Sequence, residues 1–425
     1  SNRMFIQLHT LTSYPATLLN RDDAGFAKAL PFGGETRTRV SSQCLKYHWR
    51  NYDGEHAIRK ANADMSIRSR RTFQKRVAQP LIDDGHPAPL VRAVTFALKE
   101  RLLSDKKAGK RDTKGFIDPD DPQEALEELN TNQIVVLGEP EVRYLRELAA
   151  EMIEAAQDDF PVFWSDVDHE SELDLDKDTV SDAADAMRDI SKRDLKKNLK
   201  ALNLASGLDA ALFGRMATSD VLARGDAAIH VAHPFTTHAQ ESESDYFTAV
   251  DELVTGTGEL GSALIQTQDL TSGLFYSYVV VDVPLLVSNI EGVPREEWQN
   301  VDASLAADVM ERFVHVMTTV SPGAKRGSTA PYSHAQCLLA EVGTAQPRTL
   351  ANAFQKAVPT GDVLAHSYDA LGTYVSEMDG MYGMQTDRTL AAMGPVNGLP
   401  DAVGVDDTTS VPDIARWTAN QINAA

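Results

Sequence analysis

Between residues 18 and 50 the chain gathers side chains that could hold a chain of phosphates. Arg21 precedes Asp22 and Asp23, Arg37 alternates with Arg39, and Ser41, Ser42, Gln43, Lys46 and Arg50 follow. Phosphate oxygens carry charge and accept hydrogen bonds. Basic side chains beside the unpaired first-turn amides of a helix meet both needs. Ser41 or Ser42 fits an N-cap, because a serine oxygen can accept a first-turn N–H. Lys46 and Arg50, four residues apart, then share one helical face, with Gln43 near them. Gly33-Gly34 suits a tight turn. Thr36 to Val40 alternates as a strand does, placing Arg37 and Arg39 on one face. A capped surface helix with solvated basic residues has the same pattern, so the residue types alone leave both readings open.

Other chemistries are less well supported. His230, His233 and His238 invite zinc, but no cysteine pair lies nearby and the spacing is not that of a zinc signature, so ordinary strand and loop histidines are the preferred reading. Asp174, Asp176 and Asp178 alternate like a calcium loop that lacks its glycine and its closing glutamate. Gly256-Thr257-Gly258-Glu259-Leu260-Gly261 matches a dinucleotide fingerprint formally. The stretch before it, Asp251 to Val254, is too short and acidic for the buried strand such a site needs. No Walker loop, nucleophile elbow or HExxH motif is present. The expectation is a protein without catalytic residues, metal or cofactor.

The elements that must position the basic stretch are legible from periodicity. Residues 4–11 read as a strand with Ile6 and Leu8 toward the core, ended by Ser13-Tyr14-Pro15. Residues 56–112 are helical in pattern and basic, residues 112–125 read as a loop, and 141–158 and 183–204 as helices. Leu212-Phe213-Gly214 suggests a strand end. Residues 272–287 form the clearest strand and 302–320 the clearest helix. A basic glycine loop with Lys325 and Arg326 leads into a strand at 337–342. Helices are expected at 349–358 and 362–378, then a loop-rich tail to a final helix near 414–422. With insertions removed, the order is β-α-β-β-α-β, that of ferredoxin-like RNA-recognition domains.

The net charge of −21 argues against simple nucleic-acid binding, but it is unevenly spread. Residues 35–115 hold 19 Lys/Arg against 9 Asp/Glu, and residues 116–192 hold 5 against 23. The chain is therefore dipolar, and the acidic block could meet the basic region of a neighbouring copy. Two cysteines, Cys44 and Cys337, are too few for a disulfide framework and read as reduced thiols. No apolar run approaches the ~20 residues of a membrane helix, and the first residues lack a signal peptide's apolar stretch. A cytoplasmic protein is expected.

Nine short stretches, in one order along the chain, resemble the Cas7 (CasC/Cse4) family of type I-E CRISPR Cascade backbone subunits. They are residues 19–23, 32–34, 39–43 with Leu45-Lys46, 214–219, 236–238, 247–251, 272–276, 322–325 and 351–358. The helical stretch 59–200 and the tail match poorly. The resemblance implies an α+β fold: a ferredoxin-like (RRM-like) palm from 1–58, 228–239 and 274–425, a mainly helical fingers insertion over 59–227, and a β-hairpin thumb over 240–273. It also implies a subunit that lines up head to tail along a CRISPR RNA, kinks it at intervals and presents it for pairing with a target DNA strand in antiviral defence. The implied partners are other Cas7 copies and the Cascade subunits Cas5, Cas6, Cse1/Cas8 and Cse2/Cas11, with Cas3 acting indirectly, and no membrane.

On that resemblance Arg21, Lys28, Ser41, Gln43, Lys46 and Arg50 match positions near the RNA backbone. Arg215 and Met216 lie where a methionine wedges beside a displaced base, Thr248 lies on the thumb, and Lys325 and Arg326 form a second basic loop. An alternative is a metal-dependent ribonuclease of the type III backbone kind, for which Asp22 and Asp23 are the candidates. Bracing Arg21 or capping a turn is the plainer role for both.

Overall fold

A computed structural model describes residues 3–104, 108–165, 175–216, 221–222, 225–250 and 262–425, the side chains of 247–250 and 262–266 excepted. The described strands, in chain order, are β1 (Phe5–Thr17), β2 (Ala29–Phe32), β3 (Glu35–Thr38), β4 (Ser66–Ser69), β5 (Val135–Gly138), β6 (Ile229–Val231), β7 (Phe235–Thr236), β8 (Glu241–Val250), β9 (Ser262–Asp282), β10 (Cys337–Gly343) and β11 (Asp387–Ala392). The chain is α+β and divides into two compact units. One comprises Ser1–Asn62, Ala228–Ser288 and Val293–Ala425, and the other Ala63–Ala227 with Asn289–Gly292.

The first unit is built on an antiparallel sheet of order β11-β10-β1-β9-β6. Strand β1 is buried on both faces. Ile6 and Leu8 pack on one side as their alternation requires, but Gln7, His9 and Leu11 on the other are equally covered. On the latter side Leu11 joins Tyr276, Leu339, Phe354, Tyr368 and Leu371 in an apolar cluster. On the former side, Trp49 of the helix Ser42–Asn51 meets Phe313 of the helix Ser304–Thr319 edge-on, 5.3 Å between ring centres. Burying large aliphatic and aromatic side chains contributes ~1.5–3 kcal/mol each, so these two layers hold the sheet.

Strand β1 does not end at Pro15. It continues to Thr17 through a register shift between Tyr14 and Thr17, with Ala16 at φ 49°. A bulge is where a residue lacking its N–H can sit in a ladder, so the proline bends the strand instead of stopping it. Strand β9 is 21 residues long because it serves two partners. Its second half pairs with β1 and its first half with β8, from Glu241↔Ser272 to Val250↔Ser262. Strand β11 lies in the tail that reads as loop. It carries its pattern over only 6 residues, too few for period-two alternation to stand out. The helix expected at 349–358 is a single turn, Ala351–Phe354.

The β2–β3 hairpin turns through Gly33 and Gly34 at φ 62° and 87°. A Cβ on Gly33 would fall 1.5 Å from the carbonyl oxygen of Gln355. Gly33→Ala is expected to destabilise this unit by about 1–3 kcal/mol from the left-handed backbone alone, with the clash adding to it. Thermal unfolding of purified protein measures this, and an unchanged midpoint would show that the hairpin moves away freely.

The second unit is mainly helical. Ala88–Leu103, Lys110–Ile117, Glu139–Ala155, Lys177–Met187 and Lys192–Ala201 surround a core containing Leu90, Val94, Leu98, Leu145, Ile153 and Leu195. Strands β4 and β5 pair beside them. The stretch 112–125 is not a loop: it holds the end of Lys110–Ile117 and the helix Pro122–Glu127, which Asp121 caps by accepting from the amides of Gln123 and Glu124. Likewise Leu208–Phe213 is a short helix, not a strand end, closed by Gly214 at φ 83°. Part of the basic stretch is met by acids of the same unit. Arg76 pairs with Glu139 at 2.7 Å, and Lys110 bonds Asp185, while Asp64 of that stretch pairs with Arg143 at 3.0 Å.

Candidate nucleic-acid interface

The basic loop of the first unit is fixed by backbone bonds. Asp22 closes a turn: its Oδ1 accepts from the amides of Ala24 and Phe26, each at 2.9 Å. Arg21 bridges Ala27 across that turn and is exposed. The amide of Lys28 donates to Asn20 O, and that of Arg39 to Lys28 O. Asn20 Oδ1 in turn accepts from the amide of Ser41. Ser41 caps the helix Ser42–Asn51, its Oγ accepting from the Cys44 amide at 3.2 Å. One chain of bonds therefore ties the Arg21 loop, the hairpin and the helix N-terminus together.

Side chains converge on this frame. Lys28, Arg39 and Lys46 all act electrostatically on His233, and Lys28 and Arg326 both act on Cys44. Burial chiefly pushes the Cys44 thiol up, while those two cations pull it down. Arg326 reaches Nδ1 of His48 at 2.6 Å, and Arg39 reaches Nδ1 of His233 at 3.1 Å. Lys325 Nζ donates to Gln268 Oε1 at 3.0 Å, and the amide of Ala324 donates to Leu18 O. The second basic loop thus sits against the first. Gln43 is exposed in the first turn of the helix, and Arg50 lies over the ring of Tyr47, 5.9 Å from its centre. Phe26 and Tyr47 are exposed beside these cations, which gives the face aromatic surface as well as charge.

The two arginines that sequence alternation puts on one face are parted. Arg37 is fully buried and donates to the carbonyls of Thr236, Phe354 and Gln355. Burial lowers its pKa, opposed by Glu35. Its role is to bind the hairpin to the sheet, while Arg39, just past the strand end, stays on the basic face. Arg39, His48 and His233 belong to that face; the sequence points to Arg39 only as the partner of Arg37, to His233 only as a zinc candidate, and to His48 not at all. The alternation pairs Arg39 with Arg37, and a histidine among cations has no local signature.

Arg215 lies within the second unit, its side chain buried on Glu141 with contacts of 2.6 and 3.0 Å. Glu141 also accepts from the amide of Gly138. This bidentate pair braces the segment that carries Met216, which is 95 % exposed. Thr248 lies on β8 opposite Ile265, and its side chain is outside the described residues.

The weaker motifs resolve locally. His238 Nε2 accepts from the amide of Leu274, so its Nδ1 carries the proton and donates to Ala239 O. Among the described residues no group of three metal-ligating side chains is present. Asp176 caps Lys177–Met187, while Asp174 and Gly256–Gly261 lie outside the described residues. No helix among the described residues is long and apolar enough to cross a membrane.

Comparison with known proteins covers nearly the whole chain. A family model described as CT1975-like protein matches residues 6–417. Among solved structures, a chain of a "CRISPR RNA-guided surveillance complex, pre-nicking" superposes with a TM-score of 0.73 at 24% identity, covering 98% of this chain and 100% of that one. A chain of a "CRISPR RNA-guided surveillance complex" gives a TM-score of 0.64 at 21% identity, covering 98% and 99%. No curated protein matches. The family match over nearly the whole length, with the fold agreement beside it, places the chain in the CT1975-like protein family, the Cas7 (CasC/Cse4) subunits of type I-E CRISPR systems.

Proposed function

We propose that this chain, a Cas7 backbone subunit of a CRISPR RNA-guided surveillance complex, grips the guide RNA on the basic face of its first unit. The observation that carries this reading is the convergence of Lys28, Arg39, Lys46 and Arg326 around the capped helix Ser42–Asn51. These cations and first-turn amides suit sugar-phosphate contacts, which position an RNA without reading its sequence. Arg21, Gln43, Arg50 and Lys325 extend the face. Within the second unit Arg215 holds the segment of Met216, whose exposed thioether chain can wedge beside a displaced base.

The sheet supports a ferredoxin-like palm. Strands β1, β6, β9 and β10, taken with the helices Ser42–Asn51 and Ser304–Thr319, follow β-α-β-β-α-β in sequence and lie in the order β10-β1-β9-β6. In this reading the second unit supplies the fingers, and β8 with the first half of β9 supplies the thumb bearing Thr248. Copies stack head to tail along the guide, a heterologous contact that builds open filaments, with Cas5, Cas6, Cse1/Cas8 and Cse2/Cas11 completing the assembly, target DNA pairing to the guide and Cas3 recruited afterwards. The subunit has no catalytic group in this scheme. Asp22 Oδ1 is engaged by two backbone amides, which suits a turn brace better than a cation ligand.

Purified full-length protein should bind single-stranded RNA with little sequence preference. Its log affinity should fall with log salt at a slope of about −0.7 per phosphate contacted. Binding that ignores salt would remove this reading. Mg²⁺-dependent cleavage of complementary RNA, lost in Asp22→Ala, would replace it with the nuclease.

A further inference from the structure

Two guanidiniums on the basic face end on imidazoles, Arg39 on Nδ1 of His233 and Arg326 on Nδ1 of His48. A guanidinium only donates, so each Nδ1 must accept. Each ring is therefore neutral and carries its proton on Nε2. Among the described residues, the side-chain hydrogen bonds of both rings are those at Nδ1.

The surroundings of both rings are cationic. His233 faces Arg39 just after β3, Lys28 in the loop before β2, and Lys46 on the helix. His48 faces Arg326 of the second basic loop and packs edge-on against Tyr47, 5.3 Å between ring centres. Among the described residues no carboxylate acts on either ring. Burial first, and these cations second, hold both rings below the ordinary histidine value of 6.5. A second positive charge beside each guanidinium becomes favourable only when an anion arrives to cancel it and to accept from Nε2.

We propose that His48 and His233 are proton-linked phosphate contacts: as an RNA phosphate settles beside each arginine and takes over the guanidinium's hydrogen bond, the vacated Nδ1 takes up a proton from solvent. This rests on the RNA reading above and adds a direction to it. A histidine whose pKa is higher in the complex than in the free protein tightens binding as pH falls. The gain starts as pH drops through the bound value and is complete below the free value.

The test uses the full-length chain and a fluorescent uridine oligomer, whose bases do not titrate between pH 8 and 5.5, at constant ionic strength. Wild-type Kd is expected to fall about tenfold across this range for each unit of pKa separation. The H48Q/H233Q variant keeps two polar side chains that cannot titrate, and it should lose that pH response whatever its affinity at pH 8. Calorimetry in two buffers of different ionisation enthalpy should count about one to two protons taken up by the wild type between the free and bound values, around pH 6.5, and none by the variant. This readout decides the matter if the variant binds weakly throughout. A flat wild-type profile, or the same slope and proton count in both proteins, would overturn the proposal. No binding by the wild type at pH 8 and low salt would instead overturn the RNA reading itself.

Discussion

Replacing Lys28, Lys46 and Arg326 together with glutamine should weaken single-stranded RNA binding about 50-fold near 0.15 M salt and flatten the salt slope by about 2. The arithmetic follows from counterion release. Each phosphate contact on a single strand contributes about 0.7 to the slope, and three lost contacts remove about 2 in all. Glutamine is shorter but keeps hydrogen-bonding capacity, so the change of slope reports the lost charge. These three side chains come from the loop before β2, from the helix and from the loop after Pro322, and they meet through Cys44 and His233. Fluorescence anisotropy across a salt series reads both numbers, and thermal unfolding checks that the triple variant is folded. An affinity loss without a change of slope would mean that these cations support the fold and do not touch phosphate. An unchanged affinity would take the RNA off this face.

Much of the local structure of that face is legible in the sequence. The capping serine, the helix carrying Lys46 and Arg50, the double-glycine turn and the second basic loop all have local signatures. Ser41 does cap the helix, and Gly33 and Gly34 do turn the hairpin. What local pattern could not supply was long-range pairing. Arg37 and Arg39 look equivalent in sequence, yet the first is taken by carbonyls about 200 and 317 residues away. Arg215 reads as part of an exposed motif until Glu141, 74 residues earlier, is found against it. The helices within 110–127 are hidden for another reason: their acidic, proline-flanked turns look like loop, and only capping by Asp121 and packing of Phe116 and Ile117 make them helical. The dipolar charge pattern is real in sequence, but part of it resolves within the second unit as Arg76–Glu139 and Lys110–Asp185.

The largest stability effect should come from Glu341, a lone acid in the middle of β10 that has no local reason to be there. It is fully buried and accepts from Arg348 at 2.6 and 2.8 Å, from Arg388 at 2.8 Å and from His9 at 3.0 Å. The directions are consistent along the chain of bonds. Leu350 N–H donates to Tyr276 OH, which donates to His9 Nδ1, leaving the His9 proton on Nε2 to face the carboxylate. Burial lowers the His9 pKa more than Glu341 raises it, so this contact joins a neutral imidazole to a carboxylate. Burial alone would raise the Glu341 pKa, but the bonds from Arg348 and His9 outweigh it and hold the carboxyl well below its usual range.

Glu341→Ala leaves the Arg348 guanidinium without its buried partner and strips Arg388 of one of two carboxylates, the other being Asp379. The cost should be about 3–5 kcal/mol at pH 7. A carboxyl with a depressed folded pKa stabilises the protein above its unfolded value of 4.5, and that contribution disappears as pH falls through the folded value. The gap between wild type and variant should therefore stay level from pH 8 down to about the unfolded carboxyl value of 4.5 and close only in stronger acid, the titration of unfolded histidines being common to both proteins. Thermal and urea unfolding from pH 8 to pH 4 measure that gap. A loss under about 1 kcal/mol at pH 7 would mean that water reaches Arg348 and Arg388 and screens them, and that the sheet does not depend on a dry ion cluster at its centre.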